Sequence, residues 1–212
     1  MALIIDVETT GLPLCGMLPF GENPPYEELD KYNNARIVQI SMMICNEQLE
    51  YIEMFDFIIK NDEYNIENSN IHGITNEISQ EKGYIFTEVI PILLNNLKKV
   101  SCIVAHNANF DISIIKSELH RLSMNEAIDE INTKHIVCTM KLTKSIVKAK
   151  NKNNRIKNPK LGELYKFVFN EDIENAHNSN YDVINLHKSI KQLYDTNDIF
   201  KGNYDKYLIT IV

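Results

Sequence analysis

The sequence predicts an α/β fold: a mixed sheet, in which an antiparallel hairpin is joined by parallel strands, covered by helices. Three observations carry that reading. Two β-rich runs, "RIVQISMMIC" at 36–45 and "EMFDFIIK" at 53–60, sit on either side of the short polar link "NEQLEY". Further on, strand-like and helix-like segments alternate, and the chain ends in a long helix with an apolar stripe. With 212 residues and neither an internal repeat nor a linker, the chain reads as a single domain over 1–212.

Taken in order, the first strand lies within "LIIDVETTGL" at 3–12. Residues 13–34 hold four prolines and two glycines and read as a long loop. After the hairpin, 61–84 is polar and irregular. "TEVIPILLNNLKK" then predicts a helix capped by Thr87, with Pro91 inside its first turn. "SCIVAHN" is a short apolar strand. The segment after it places Phe110, Ile114, Ile115, Leu119 and Leu122 at amphipathic helical spacing. A strand near "HIVCTM", a helix over 139–148, a basic loop and a helix at "KLGELYKFVF" follow. Val183, Leu186, Ile190 and Leu193 form the stripe of the last helix.

The composition, 44% apolar and 24% charged, is that of a soluble globular protein. No apolar run approaches the roughly 18 residues a bilayer requires, and the N-terminus lacks a basic region before its first acid, Asp6, so a membrane or secreted protein is not expected. Cys15, Cys45, Cys102 and Cys138 are scattered, which suits reduced thiols in an intracellular setting better than a disulfide framework or a zinc site. The net charge of −7 is unevenly spread. Residues 141–160, "KLTKSIVKAKNKNNRIKNPK", contain seven Lys, one Arg and no acid, leaving −15 for the rest. Such a stretch either grips phosphates or is a solvated loop.

Asp6 and Glu8 interrupt an apolar strand two positions apart, on one face and about 7 Å apart along the chain. Like charges placed so close raise one another's pKa unless a cation joins them. Alternatively, they lie on a solvated face, or Asp6 ends the strand before the turn. Asp111 falls in the first turn of a helix, where capping would also explain it. Asp182 opens the last helix, five residues after His177, itself open to a surface role. Together, Asp6, Glu8, Asp111 and Asp182 each stand where an apolar element meets a loop. Brought to one sheet edge, they could hold two divalent ions, and oxygen donors favour Mg²⁺ or Mn²⁺.

These motifs make the chain recognisable. It resembles the DEDD superfamily of 3′-to-5′ exonucleases, in the DnaQ-like proofreading group whose last motif supplies histidine. "IIDVETTGL" meets the first motif, "AHNANFD" the second and "HNSNYD" the third, with accessory likeness at "RIVQIS", "IHGIT", "CTMKL" and "KLGELYKF". The resemblance implies a ribonuclease-H-like fold and metal-dependent release of nucleoside 5′-monophosphates from a nucleic acid. It implies that Asp6, Glu8, Asp111 and Asp182 hold two metal ions, with His177 as general base. It also implies that Thr9, Thr10 and Leu12 meet the terminal nucleotide, and His106 and Asn107 are further candidates for substrate contact. DNA is the expected substrate, at single-stranded or frayed ends, and a polymerase is a possible partner. Alternatives are the same chemistry on RNA, a catalytically silent nucleic-acid-binding module, and a structural Ca²⁺ site.

Overall fold

The computed structural model describes residues 1–19, 21–174 and 178–208. β1 (Ala2–Thr9) pairs antiparallel with β2 (Ile37–Cys45), and β2 pairs antiparallel with β3 (Tyr51–Ile58). The short helices α1 (Ser69–His72) and α2 (Asn76–Lys82) lead to α3 (Phe86–Leu97). β4 (Cys102–Ala105) then lies parallel to β1 on its other edge and is followed by α4 (Ala108–Arg121) and α5 (Asn125–Asn132). β5 (His135–Cys138) adds parallel to β4. The single turns α6 (Thr139–Leu142) and α7 (Lys144–Val147) precede α8 (Leu161–Phe169), α9 (Ser179–Thr196) and α10 (Asp198–Asp205). The described sheet has the order β3-β2-β1-β4-β5, the mixed architecture expected of the ribonuclease-H-like class.

The alternation of β1 decides where its charges go. Leu3, Ile5 and Val7 point into a core shared with Val89, Ile90 and Leu93 of α3, Ile114 and Leu119 of α4 and Ile128 of α5. Ala2 and Ile4 point the other way, into a core with Val183, Leu186, Ile190 and Leu193 of α9 and Phe200 and Tyr204 of α10. Side chains two apart share a face, so Asp6 and Glu8 continue the row toward α9. The α9 stripe, buried at about 1.5–3 kcal/mol per large side chain, therefore also docks Asp182 against that row.

Several elements differ from the sequence expectation. α3 starts at Phe86, with the Glu88 carboxylate accepting the N–H of Ile85 at 3.0 Å, so Thr87 is not its cap. Pro91 falls in the second turn. It is tolerated because it faces solvent, where water can serve the carbonyl it leaves unpaired. The segment 61–84 carries α1 and α2, the latter capped by Thr75, whose hydroxyl accepts from Ile78 N–H. The helix expected over 139–148 breaks into α6 and α7 at Thr143, whose hydroxyl bonds back to the Thr139 carbonyl at 2.7 Å. α5 and α10 were not legible, because each is only eight residues long and offers few apolar positions.

Candidate active site

β1 outruns its parallel neighbour. It pairs with β4 only from Ala2 to Ile4, so beyond Ile4 that edge of β1 is open. The N–H of Val7 is taken up there by Asp111 Oδ1, at 3.3 Å, from the first turn of α4. Asn107, in a left-handed conformation (φ 82°), turns the chain from β4 into α4 and so aims Asp111 back at β1. On the other face, ligand oxygens of Asp6, Glu8 and Asp182 all lie within 4.8 Å of one another. Four carboxylates from three elements thus gather around the end of β1. His177 lies outside the described residues.

Crowding raises these acids. Asp6 is held well above the usual carboxylate range, first by burial and then by repulsion from Asp111, Asp182 and Glu8. Burial and Asp182 push Glu8 up to about 7. Burial pushes Asp111 up to about 8, against the stabilising N–H of Val7. Among the described residues, no Lys or Arg lies within ion-pair distance of Asp6, Glu8 or Asp111. An all-oxygen donor set in which no described Lys or Arg pairs with Asp6, Glu8 or Asp111 fits a hard divalent metal.

The docking of Asp182 depends on residues the sequence reading did not single out. Ser41 faces Asp6 and Gln39 faces Glu8 across the β1–β2 pair. Ser41 Oγ lies 2.6 Å from Ser179 Oγ and donates to Asp56 Oδ1 at 2.7 Å, while Gln39 Nε2 donates to the same oxygen at 2.8 Å. Gln39 Oε1 accepts the N–H of Ser179, and Asn180 Nδ2 donates to Asp56 Oδ2. The N-terminus of α9 is thereby fastened to β2 and β3 one turn before Asp182. The signal was present: Gln39, Ser41 and Asp56 are polar interruptions of apolar strands, just as Asp6 and Glu8 are.

The loop after β1 is shaped by a bulge. Glu8 pairs with Gln39 but Thr9 pairs with Ile37, so Val38 is the extra residue. It packs with Ile66 and Ile74, while Ile37 returns to the α3–α4 core. Thr9 Oγ1 donates to the Gly11 carbonyl at 2.7 Å. Thr10 is engaged within the fold: its N–H donates to Arg36 O at 2.9 Å, and its hydroxyl accepts from Arg36 N–H at 3.0 Å. A Cβ on Gly11 would stand 2.7 Å from the Asn34 carbonyl, so only glycine passes there. Leu12 is 71% exposed.

Two of the expected substrate contacts are hydrogen-bonded within the fold. The Thr10 amide is taken up by Arg36, because the ladder resumes after the bulge. His106 has both ring nitrogens engaged, Nδ1 2.9 Å from Thr139 Oγ1 and Nε2 2.9 Å from the Pro159 carbonyl. A carbonyl only accepts, so Nε2 carries the proton. Burial lowers the ring to about 4, keeping it neutral, with Nδ1 beside a Thr139 hydroxyl whose single proton also faces the Ala105 carbonyl at 3.1 Å.

With this geometry in view, comparison with known proteins is decisive at the level of family. The model of the exonuclease family (RNase_T) matches residues 3–189. The chain belongs to that family. This exonuclease is 27% identical over 230 residues to the DNA polymerase III subunit epsilon of Buchnera aphidicola subsp. Schizaphis graminum, covering 95% of the chain and 90% of the relative. Among solved structures, E. coli exonuclease I in complex with a dT13 oligonucleotide superposes with a TM-score of 0.71 at 18% identity, over 96% of this exonuclease and 42% of that chain. Exonuclease X in complex with 5′-overhanging duplex DNA superposes with a TM-score of 0.58 at 21% identity, covering 94% and 99%. The exonuclease thus spans under half the length of the exonuclease I chains it matches. At these identities the structural likeness establishes the fold. No helix among the described residues is long and apolar enough to cross a membrane.

Proposed function

We propose that this chain is a metal-dependent 3′-to-5′ exonuclease that releases nucleoside 5′-monophosphates from DNA, preferring single-stranded or frayed ends. The observation that carries the reading is the approach of Asp6, Glu8 and Asp182 to within 4.8 Å of one another, with Asp111 bonded to Val7 between them. The likeness to a DNA polymerase subunit, and to a nuclease that holds a dT13 oligonucleotide, supports DNA as the substrate and work beside a polymerase.

Asp6, Glu8 and Asp182 would hold one divalent ion, and Asp6 with Asp111 a second, Mg²⁺ or Mn²⁺ by the all-oxygen donor set. Bound there, the pair would activate the attacking water and neutralise the leaving 3′-oxygen. His177, five residues before Asp182, takes the proton of that water, as suits a side chain whose unperturbed pKa is about 6.5. Thr9 and the exposed Leu12 receive the terminal nucleotide, Leu12 against its base. Asn107, at the turn into α4, faces the same end of the sheet.

Digestion of end-labelled single- and double-stranded DNA and RNA, with Mg²⁺, Mn²⁺ or EDTA, tests this reading. The expected result is 5′-mononucleotides from the 3′ end of DNA, fastest on single strands and abolished by EDTA. Faster digestion of matched RNA would move the assignment to RNA. Stabilisation by metal without hydrolysis of any substrate would replace it with a structural site.

A further inference from the structure

The basic segment is not a featureless loop. Asn151 Oδ1 accepts from the N–H groups of Asn153 and Arg155 at 2.9 and 3.0 Å, and Asn151 N–H donates to the Arg155 carbonyl at 2.9 Å. Lys150 bridges to Ile156, and Lys157 N–H donates to Ala149 O at 2.8 Å. These bonds close a small hairpin over 148–158. Its tip is exposed, and Lys148, Lys150, Lys152 and Arg155 make no ion pair with a described acid. The remaining hairpin cation, Lys157, pairs with Glu163 of α8, whose other bond accepts the N–H of Lys160 at 2.8 Å and caps that helix. Four cations are thus presented on ordered backbone, in a protein whose other residues sum to strong negative charge.

The base of this hairpin is tied to the active site. Just beyond it, the carbonyl of Pro159 accepts from His106, and His106 sits between β4 and α4, five residues before Asp111. The imidazole has no partner in the proposed chemistry. It acts as a strut that sets the hairpin's foot against the loop leading to a candidate metal ligand. An acidic body would repel a polyanion, so a fixed cationic finger whose foot is bonded to the loop leading to Asp111 is where an approaching strand finds attraction.

We propose that the hairpin 148–158 grips the phosphates of a single-stranded polynucleotide upstream of the residue being removed. This deepens the exonuclease reading and rests on it, and it assigns the upstream substrate interface. The strand's end would lie among the carboxylates and its body along the hairpin.

The test is a quadruple variant, Lys148→Gln, Lys150→Gln, Lys152→Gln and Arg155→Gln, whose sites lie outside both cores. Binding of a labelled 20-nucleotide DNA is measured in EDTA, where nothing is cleaved, across a salt series. Each cation contributes about 0.7 to the slope of log Kd against log salt on single strands, so the slope should fall by up to about 3. A fall of less than one unit overturns the proposal. With metal present, KM for the 20-mer should rise about tenfold or more while KM for a trinucleotide stays unchanged. An equal rise for both lengths also overturns it. Hydrolysis of thymidine 5′-(4-nitrophenyl phosphate), too short to reach the hairpin, should be the same in wild type and variant and reports an intact catalytic fold. If the wild type fails to cleave that ester or any oligonucleotide, the exonuclease reading falls, whereas the EDTA binding series still decides the hairpin on its own.

Discussion

The carboxylate of Asp111 accepts the main-chain N–H of Val7 at 3.3 Å across 104 residues of sequence. Val7 stands between Asp6 and Glu8, so this one bond brings a carboxylate from α4 to the backbone that presents the other two. It exists because β4 stops pairing with β1 at Ile4, leaving an N–H that must be satisfied from elsewhere. The acidic pocket is thus a consequence of unequal strand lengths at the point where the sheet changes from antiparallel to parallel pairing.

Replacing Asp6 or Asp182 with Asn should remove several kcal/mol of transition-state stabilisation, about a thousandfold or more in turnover. Each change also relieves repulsion, so the metal-free variant should melt above metal-free wild type. Nucleotide release and thermal unfolding in EDTA, measured on the same preparations, check both halves. A variant that loses activity because it fails to fold would show a lower melting temperature.

Metal-free protein should lose stability as pH rises. Glu8 is raised from 4.5 to about 7 and Asp111 from 3.8 to about 8, so between pH 4 and 8 the native state binds more protons than the unfolded chain. Their contribution is fully present below the unfolded values and disappears as pH passes through the folded ones. Melting temperatures in EDTA should therefore fall across that window. Saturating Mg²⁺ should flatten the fall, because the cation replaces the protons. A curve identical with and without Mg²⁺ would count against a metal among these acids.

Changing His177 to Gln should lower turnover by about 10² to 10⁴, the usual worth of a general base, with metal affinity retained. Titration of Mn²⁺ by calorimetry beside the rate measurement separates the alternatives. Loss of Mn²⁺ binding would make His177 a ligand instead.

Arg36 and Glu118 form a two-bond ion pair, at 2.5 and 3.1 Å, between the start of β2 and α4, with side chains only 12% and 7% exposed. Removing one partner by Glu118→Gln leaves the buried guanidinium with only its longer pair, to the exposed Glu63 at 3.9 Å, and should cost up to about 3–5 kcal/mol. The double change Arg36→Met and Glu118→Met should cost much less, because no charge is stranded. Urea unfolding of the two variants checks that contrast. Since the Arg36 backbone also holds Thr10, and with it the turn that carries Thr9 and Leu12, the single variant should raise KM for DNA as well.

The local signals were legible because they obey short periods. Period-two alternation in "LIIDVET" put Asp6 and Glu8 on one face, and the helical stripe through Val183, Leu186, Ile190 and Leu193 identified α9 and the place of Asp182 within it. The mixed sheet followed from hairpin strands preceding alternating ones, and the family from motifs spread along almost the whole chain. α5 and α10 escaped because two-turn helices draw their stability from tertiary packing more than from propensity.

What the sequence by itself determined was which side chains carry charge into apolar elements, and in what order. Only the tertiary structure decided where β4 stops along β1, and hence that Val7 is open to Asp111. It also decided that Ser41 and Gln39 fasten Ser179 while Asp56 holds Asn180, and that His106 bonds Thr139 and the Pro159 carbonyl at the foot of a basic hairpin. Those relations join residues up to 140 positions apart, and the physical reason they were hidden is that burial compels polar atoms to find partners without specifying from which distant element the partner will come.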